Sequence, residues 1–222
     1  MSYIKAENLT KEYGTGELAV AAVSNANFEI QAGEFVAVMG ESGSGKSTLL
    51  SILGTLNSPT SGLLTVNGRD VYNLGQDERA DFRRQSLGFV FQNFNLLSYL
   101  TLMENVMLPL ATLKVKKREK QMMAYNALER VGLAAKVKRL PGQISGGEQE
   151  RVAIARAIVN KPPILLADEP TGNLDTRTGR LIMEFLRSLN KEGTTIVMVT
   201  HSAEYSHFAG RILHMSDGML VQ

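Results

Sequence analysis

Phe35-Val36-Ala37-Val38-Met39-Gly40-Glu41-Ser42-Gly43-Ser44-Gly45-Lys46-Ser47-Thr48-Leu49-Leu50-Ser51-Ile52-Leu53 is the stretch that decides the fold. An apolar run reads as a buried strand, the glycines as a turn, and the second apolar run as a helix. Gly40 to Thr48 fills every position of G-x-x-x-x-G-K-[ST], the pattern of a phosphate-binding P-loop. Glycines let the backbone curl so that successive N–H groups point at phosphate oxygens. The helix starting near Lys46 aims its positive end at the same place. Gly40, Glu41, Ser42, Gly43, Ser44, Gly45, Lys46, Ser47 and Thr48 are therefore the candidate nucleotide contacts. Lys46 is placed to reach the β- and γ-phosphates, and the Ser47 hydroxyl to ligate Mg²⁺.

Composition bounds the rest. A chain of 222 residues with 44% hydrophobic content predicts one soluble domain, or one domain with an insertion. Twenty-four basic residues face 22 acidic ones, for a net charge of +2. That balance offers no field for nucleic acid, so no nucleic-acid partner is expected. The absence of cysteine excludes disulfides and thiolate metal sites. No apolar run is long enough to span a bilayer, and Met1 to Glu7 is too polar for a secretory signal. A cytoplasmic protein is expected, with any membrane contact made through a partner.

Outward from the P-loop the pattern is that of an α/β protein. Tyr3–Leu9, Asn27–Ile30, Leu63–Val66 and Leu87–Phe91 read as strands, and Thr10 to Gly16 as a loop by composition. Asn67-Gly68 is a tight-turn signal. From about 93 to 141 the spacing turns helical, with helices over Glu104–Leu113 and Lys117–Val131. This predicts a helical insertion between core segments of about 1–92 and 142–222. Its basic run, Lys114, Lys116, Lys117, Arg118 and Lys120, reads as a solvated helix face. Helices follow at Ser145–Asn160 and Thr176–Glu192, buried strands at Ile164–Ala167 and Thr195–Val199, and a closing hairpin at Arg211–Val221.

Two further constellations carry chemistry. Ile164-Leu165-Leu166-Ala167-Asp168-Glu169 sets two carboxylates at the end of a buried strand. In an open parallel sheet ligands bind at that edge. Asp168 is expected to hold Mg²⁺, and Glu169 to polarise the water that attacks the γ-phosphate. His201 closes another strand at the same edge. The third constellation is Ser145-Gly146-Gly147-Glu148, which reads as a capping box on a helix whose first N–H groups are uncovered. Such a start binds anions, yet the chain's own nucleotide already has a P-loop. From the residues alone, an ordinary capped helix and a site serving a neighbour's nucleotide are balanced readings.

Ile144-Ser145-Gly146-Gly147-Glu148-Gln149-Glu150-Arg151-Val152-Ala153-Ile154-Ala155-Arg156-Ala157 resembles the signature segment of ABC transporter ATP-binding subunits. The resemblance covers essentially the whole chain, with the motifs in family order. It departs at Ile144, where Leu is usual, and at Glu148, where Gln is frequent. It implies a P-loop NTPase fold with a RecA-like parallel core, an N-terminal antiparallel β subdomain and a helical insertion. It further implies that Tyr13 stacks on adenine, and that Gln92 contacts Mg²⁺ or the attacking water and links to the membrane partner. It makes Glu169 the catalytic glutamate and His201 the switch histidine, and it places Asn173-Leu174-Asp175 at a dimer interface. Catalytic roles would then fall to Glu169, His201 and Lys46, and metal contacts to Ser47, Gln92 and Asp168. Ser145, Gly146, Gly147 and Asp175 would serve nucleotide across the interface. The implied assembly is a homodimer around two ATP and Mg²⁺, peripheral on the inner face of the cell membrane through an integral membrane permease.

Phe91-Gln92-Asn93-Phe94-Asn95-Leu96-Leu97 and Pro170-Thr171-Gly172-Asn173-Leu174-Asp175 look most like the branch serving macrolide exporters, lipoprotein-release complexes and the cell-division ATPase. Phe94, Leu96, Leu97, Tyr99 and Leu100 either form a groove for a permease helix or pack the helical insertion. A non-transporting ATP switch acting on a membrane protein uses the same pocket and stays open as an alternative. A soluble ABC ATPase of translation or repair, and a metabolite kinase, find less support.

Overall fold

The computed structural model describes residues 2–14 and 16–221. Strand β1 (Ile4–Tyr13) pairs antiparallel with β2 (Val20–Ile30). The chain then makes β3 (Phe35–Met39) and helix α1 (Lys46–Leu53). It returns through β4 (Ser61–Val66) and β5 (Arg69–Asp70), completing a four-stranded sheet ordered β2-β1-β4-β5. The expected loop over Thr10–Gly16 is corrected for Thr10 to Tyr13, which continue β1. The register of β1 slips at three places between Ala6 and Glu12, and Asn8 and Asn25 hold φ near +50°. Each slip resets the pleat, so the two-residue alternation that marks a strand breaks off after Leu9. Asn67 and Gly68 both have positive φ and turn β4 into β5, as the dipeptide predicts.

Helix α2 (Gln76–Ser86) escapes the sequence reading because it buries no residue and so shows no apolar stripe. Next come β6 (Leu87–Val90), α3 (Leu102–Met107), α4 (Lys117–Arg130) and α5 (Gly146–Ile158). The chain closes with β7 (Ile164–Asp168), α6 (Thr176–Lys191), β8 (Thr195–Thr200), α7 (Ala203–Ser206), β9 (Arg211–Ser216) and β10 (Met219–Val221). The second sheet runs β10-β9-β3-β8-β7-β6, parallel throughout except for β10.

Both faces of this sheet are covered, which is why its strands are continuous apolar runs. Val36, Val38, Leu166, Val197 and Val199 face α1 and the antiparallel sheet in one core. Ala37, Leu165, Ala167, Ile196 and Met198 face α5 and α6 in a second. A third cluster joins Leu102, Val106, Leu128 and Leu133 to Val152 and Ala155 of α5 and to Val159 at its C-cap. Helix α5 therefore buries residues in two cores and forms the spine between the sheet and the helices that precede it. No described helix is long and apolar enough to cross a membrane.

Candidate functional site

The parallel register sets the site. Met39 lies beside Thr200, and Val199 beside Asp168, so β3, β8 and β7 end level at one edge, with Val90 of β6 alongside Ala167. The loops leaving these strands carry the P-loop, His201, Glu169 and Gln92. They converge on a cavity of about 510 Å³ lined by Ala22, Ser42, Gly43, Gly45, Lys46, Ser47, Thr48, Gln92, Glu169 and His201. That size suits a small-molecule ligand.

Gly45 caps α1 at φ 99°, and a Cβ there would strike the Ala22 carbonyl. Only glycine fits both demands, and α1 consequently starts beside the cavity with no acidic residue in its first turn. Lys46 is 7% exposed, its ammonium donating to the Glu41 carbonyl at 2.6 Å and to Ser44 Oγ at 3.3 Å. Gly40, Glu41 and Ser44 build the loop without lining the cavity.

Ser47 Oγ donates to Asp168 Oδ1 at 3.0 Å. Burial pushes the Asp168 carboxyl up; the Ser47 hydrogen bond opposes this, adjacent Glu169 adds to it, and Lys46 opposes it. A hydroxyl and a half-buried carboxylate beside a phosphate site form a hard oxygen pair suited to Mg²⁺, which takes few protein ligands and keeps water and phosphate oxygens. Among the described residues no group of three or more His, Cys, Asp and Glu forms a self-sufficient metal site. The donor set thus fits a cation bound together with phosphate.

Glu169 sits at φ 46°, a left-handed backbone rare for a residue with a side chain. Its N–H donates to the Val199 carbonyl at 3.0 Å, and its carbonyl accepts from Gly172 N–H at 3.0 Å. The bend turns the side chain from the strand line to the cavity, where Oε1 meets His201 Nδ1 at 2.8 Å. Nothing in the alternation of β7 signals this bend. Gln92 is tied from the other side, its carbonyl accepting from Asn173 Nδ2 at 2.9 Å.

Some expected contacts lie elsewhere. Tyr13 does not line the cavity; it is 43% exposed at the end of β1, its hydroxyl accepting from Asn57 Nδ2 at 3.0 Å and Lys11 Nζ lying 5.0 Å from its ring. Ser145, Gly146, Gly147 and Asp175 are also absent from the lining. The capping box is formed: Ser145 Oγ accepts from Glu148 N–H at 3.3 Å, and Glu148 Oε2 from Ser145 N–H at 3.1 Å. Lys136 binds Glu148, and this hydrogen bond chiefly holds the Glu148 carboxyl below its usual range. Ser145 and Gly146 are exposed, and a Cβ on Gly146 would meet open space. Gly147 packs on Thr178, and Asp175 caps α6 by accepting from Thr178 N–H and Oγ1. Of the five apolar residues after Asn93, Leu96 packs into the helical cluster, while Leu97 and Tyr99 are exposed.

Residues 23–172 match the family model described as ABC transporter. An uncharacterised ABC transporter ATP-binding protein of Methanocaldococcus jannaschii is 47% identical over 99% of this chain and 98% of its own. The lipoprotein-releasing system ATP-binding protein LolD of Geobacter metallireducens is 47% identical over 99% and 98%. The macrolide export ATP-binding/permease protein MacB of Rhodopirellula baltica is 48% identical over 99% of this chain, which spans 32% of that protein. Among solved structures, the dimeric post-hydrolysis state of the ATP-binding cassette MJ0796 bound to ADP and Pi has a TM-score of 0.91 and 44% identity, covering 99% of this chain and 97% of that one. With these matches added to a nucleotide-sized cavity at a complete P-loop, the chain belongs to the ABC transporter family, as an ATP-binding, ATP-hydrolysing cassette subunit.

Proposed function

We propose that two copies of this chain close on two Mg-ATP molecules, and that hydrolysis reopens them to drive a membrane subunit. One observation carries the reading. The N-terminus of α5 is capped, with Ser145 and Gly146 open to solvent, yet takes no part in the chain's own cavity. A second copy facing it across a two-fold axis would offer a phosphate to those N–H groups. The relative whose structure is a dimer bound to ADP and Pi supports this.

Within each half, Gly43, Gly45, Lys46 and Thr48 hold phosphate oxygens, and Tyr13 stacks on adenine. Ser47, Asp168 and Gln92 would hold Mg²⁺, which would screen the phosphate charge when bound. Glu169 takes the proton of the attacking water, and His201, bonded to Glu169, reaches the γ-phosphate. Ser145, Gly146, Gly147 and Asp175 face the partner's nucleotide. The γ-phosphate favours the closed state because it touches both halves.

The same reading takes residues 1–222 as one nucleotide-binding domain, with 93–141 as its helical subdomain. Its membrane subunit docks in a groove of about 520 Å³ walled by Leu56, Phe89, Phe91, Leu108, Pro109 and Arg156. Such an apolar trough suits a short amphipathic helix. The chain would then sit on the inner face of the membrane. The likeness to LolD and MacB favours export or lipoprotein extrusion. A net charge of +2 leaves nucleic acid out of the scheme.

The deciding experiment places Ser145→Arg in a Glu169→Gln background. Light scattering with Mg-ATP should show a dimer for the single variant and a nucleotide-bound monomer for the double. A normal dimer from the double variant would overturn the cross-subunit site.

A further inference from the structure

Between the nucleotide cavity and the groove runs Gln92-Asn93-Phe94-Asn95, and its backbone is unusual. Phe94 has φ 58° and Asn95 φ 49°, two consecutive left-handed residues with side chains. Such a pair persists only where its surroundings over-determine it. Besides the Phe94 N–H to Phe91 carbonyl bond within the loop, two side chains brace it. On the cavity side, Asn173 Nδ2 donates to the Gln92 carbonyl at 2.9 Å. On the groove side, Arg156 donates from Nη2 to the Phe94 carbonyl at 2.6 Å and from Nη1 to the Asn95 carbonyl.

Arg156 is itself tightly set. It projects from α5, whose neighbouring Ala157 backs so closely on β6 that a Cβ on Gly88 would strike the Ala157 carbonyl. The guanidinium is half-buried and forms part of the groove wall with Ala157 and Asn160. Burial pulls its proton affinity down, and Glu150, when ionised, opposes that. A planar fork donating to two adjacent carbonyls fixes orientation as well as position, which a lysine cannot do.

We propose that Arg156 is a positioning residue for Gln92: its forked grip on the Phe94 and Asn95 carbonyls holds the left-handed kink that aims the Gln92 side chain into the nucleotide cavity. The inference rests on the reading of Gln92 as a contact of the hydrolytic site. Because Arg156 also walls the groove, an occupant there would press on the same side chain that sets Gln92. Asn173 holds the near end of the kink and Arg156 the far end, so loss of either leaves Gln92 attached but unaimed.

The test compares Arg156→Lys, Gln92→Ala and the double variant in the full chain. Arg156→Lys should lower the kcat for ATP hydrolysis roughly 10- to 100-fold, the range of a misplaced group, with KM little changed. The double variant should be no slower than Gln92→Ala alone, since Arg156 acts through Gln92. Hydrogen exchange at the Phe94–Leu96 amides should quicken in Arg156→Lys while the melting temperature holds. Multiplicative losses in the double variant, or unchanged exchange with unchanged kcat, would overturn the role of Arg156 alone. An unimpaired Gln92→Ala would instead sink the reading of Gln92, and the inference with it. Should Arg156→Lys fold poorly, Phe94→Gly tests the same grip from the other partner: glycine tolerates the kink, so kcat should stay near the parent while Arg156 is intact. A collapse of kcat there would count against the grip on the backbone.

Discussion

Glu169 stands at the end of β7 on a left-handed backbone, bonded to His201 at 2.8 Å. That strain is the local condition for turning a carboxylate from the sheet into the cavity. Glu169→Gln preserves the shape and the hydrogen-bonding reach while removing the base. Steady-state assays should show hydrolysis slowed roughly 100-fold or more, with Mg-ATP binding retained and a nucleotide-bound dimer accumulating. Unchanged turnover would remove Glu169 from the proton step. A second carboxyl makes a separate prediction. Glu150 is 1% exposed, its Oε1 has no hydrogen-bond partner among the described residues, and burial pushes it up to about 8. Between its ordinary value of 4.5 and about 8 the folded chain keeps a proton that the unfolded chain has lost. The stability this group lends is therefore full below pH 4.5 and drains away as pH rises through 8. Melting curves should show Glu150→Gln losing less stability than the parent between pH 6 and about 8.5.

At the scale of elements, the junction of β3 and α1 works because one residue has no side chain. Gly45→Ala must place a Cβ against the Ala22 carbonyl at a φ that side chains avoid. A loss of at least about 1–2 kcal/mol in thermal unfolding is expected, together with much weaker binding of a fluorescent ATP analogue. Alanine tolerated with full affinity would mean the loop has another way to approach phosphate. Helix α5 shows how one element serves several tasks. Its start offers bare N–H groups, its middle packs into two cores, and Arg156 near its end reaches a loop 61 residues earlier. Helix α2 has Ala80 and Phe82 but no apolar stripe, so periodicity passes over it, while its Arg83 fixes the Thr55 carbonyl at 3.1 Å.

For the whole molecule, the groove is where force would enter. It is walled by β6, α2, α5 and the Leu108–Pro109 turn, with Leu108 39% exposed. Leu108→Glu lies away from the nucleotide cavity, so basal ATP hydrolysis should hold while recovery with membranes, and any stimulation by the membrane subunit, falls. Full membrane recovery would move the docking site elsewhere.

Contiguous chemistry was legible from the residues: the P-loop, the Asp168-Glu169 pair, the Ser145–Glu148 capping box and the Asn67-Gly68 turn each span a few neighbours, and local backbone geometry suffices to produce them. The family resemblance added roles to positions that spacing alone left open. Tertiary structure decided what depends on parallel pairing, because crossover connections bring together residues that share no local period. Level strand ends put Gln92, Glu169 and His201 around one cavity, a left-handed bend aimed Glu169, and Arg156 found two carbonyls on a distant loop. The groove likewise exists only once β6 and α5 pack closely enough that Gly88 has no room for a side chain.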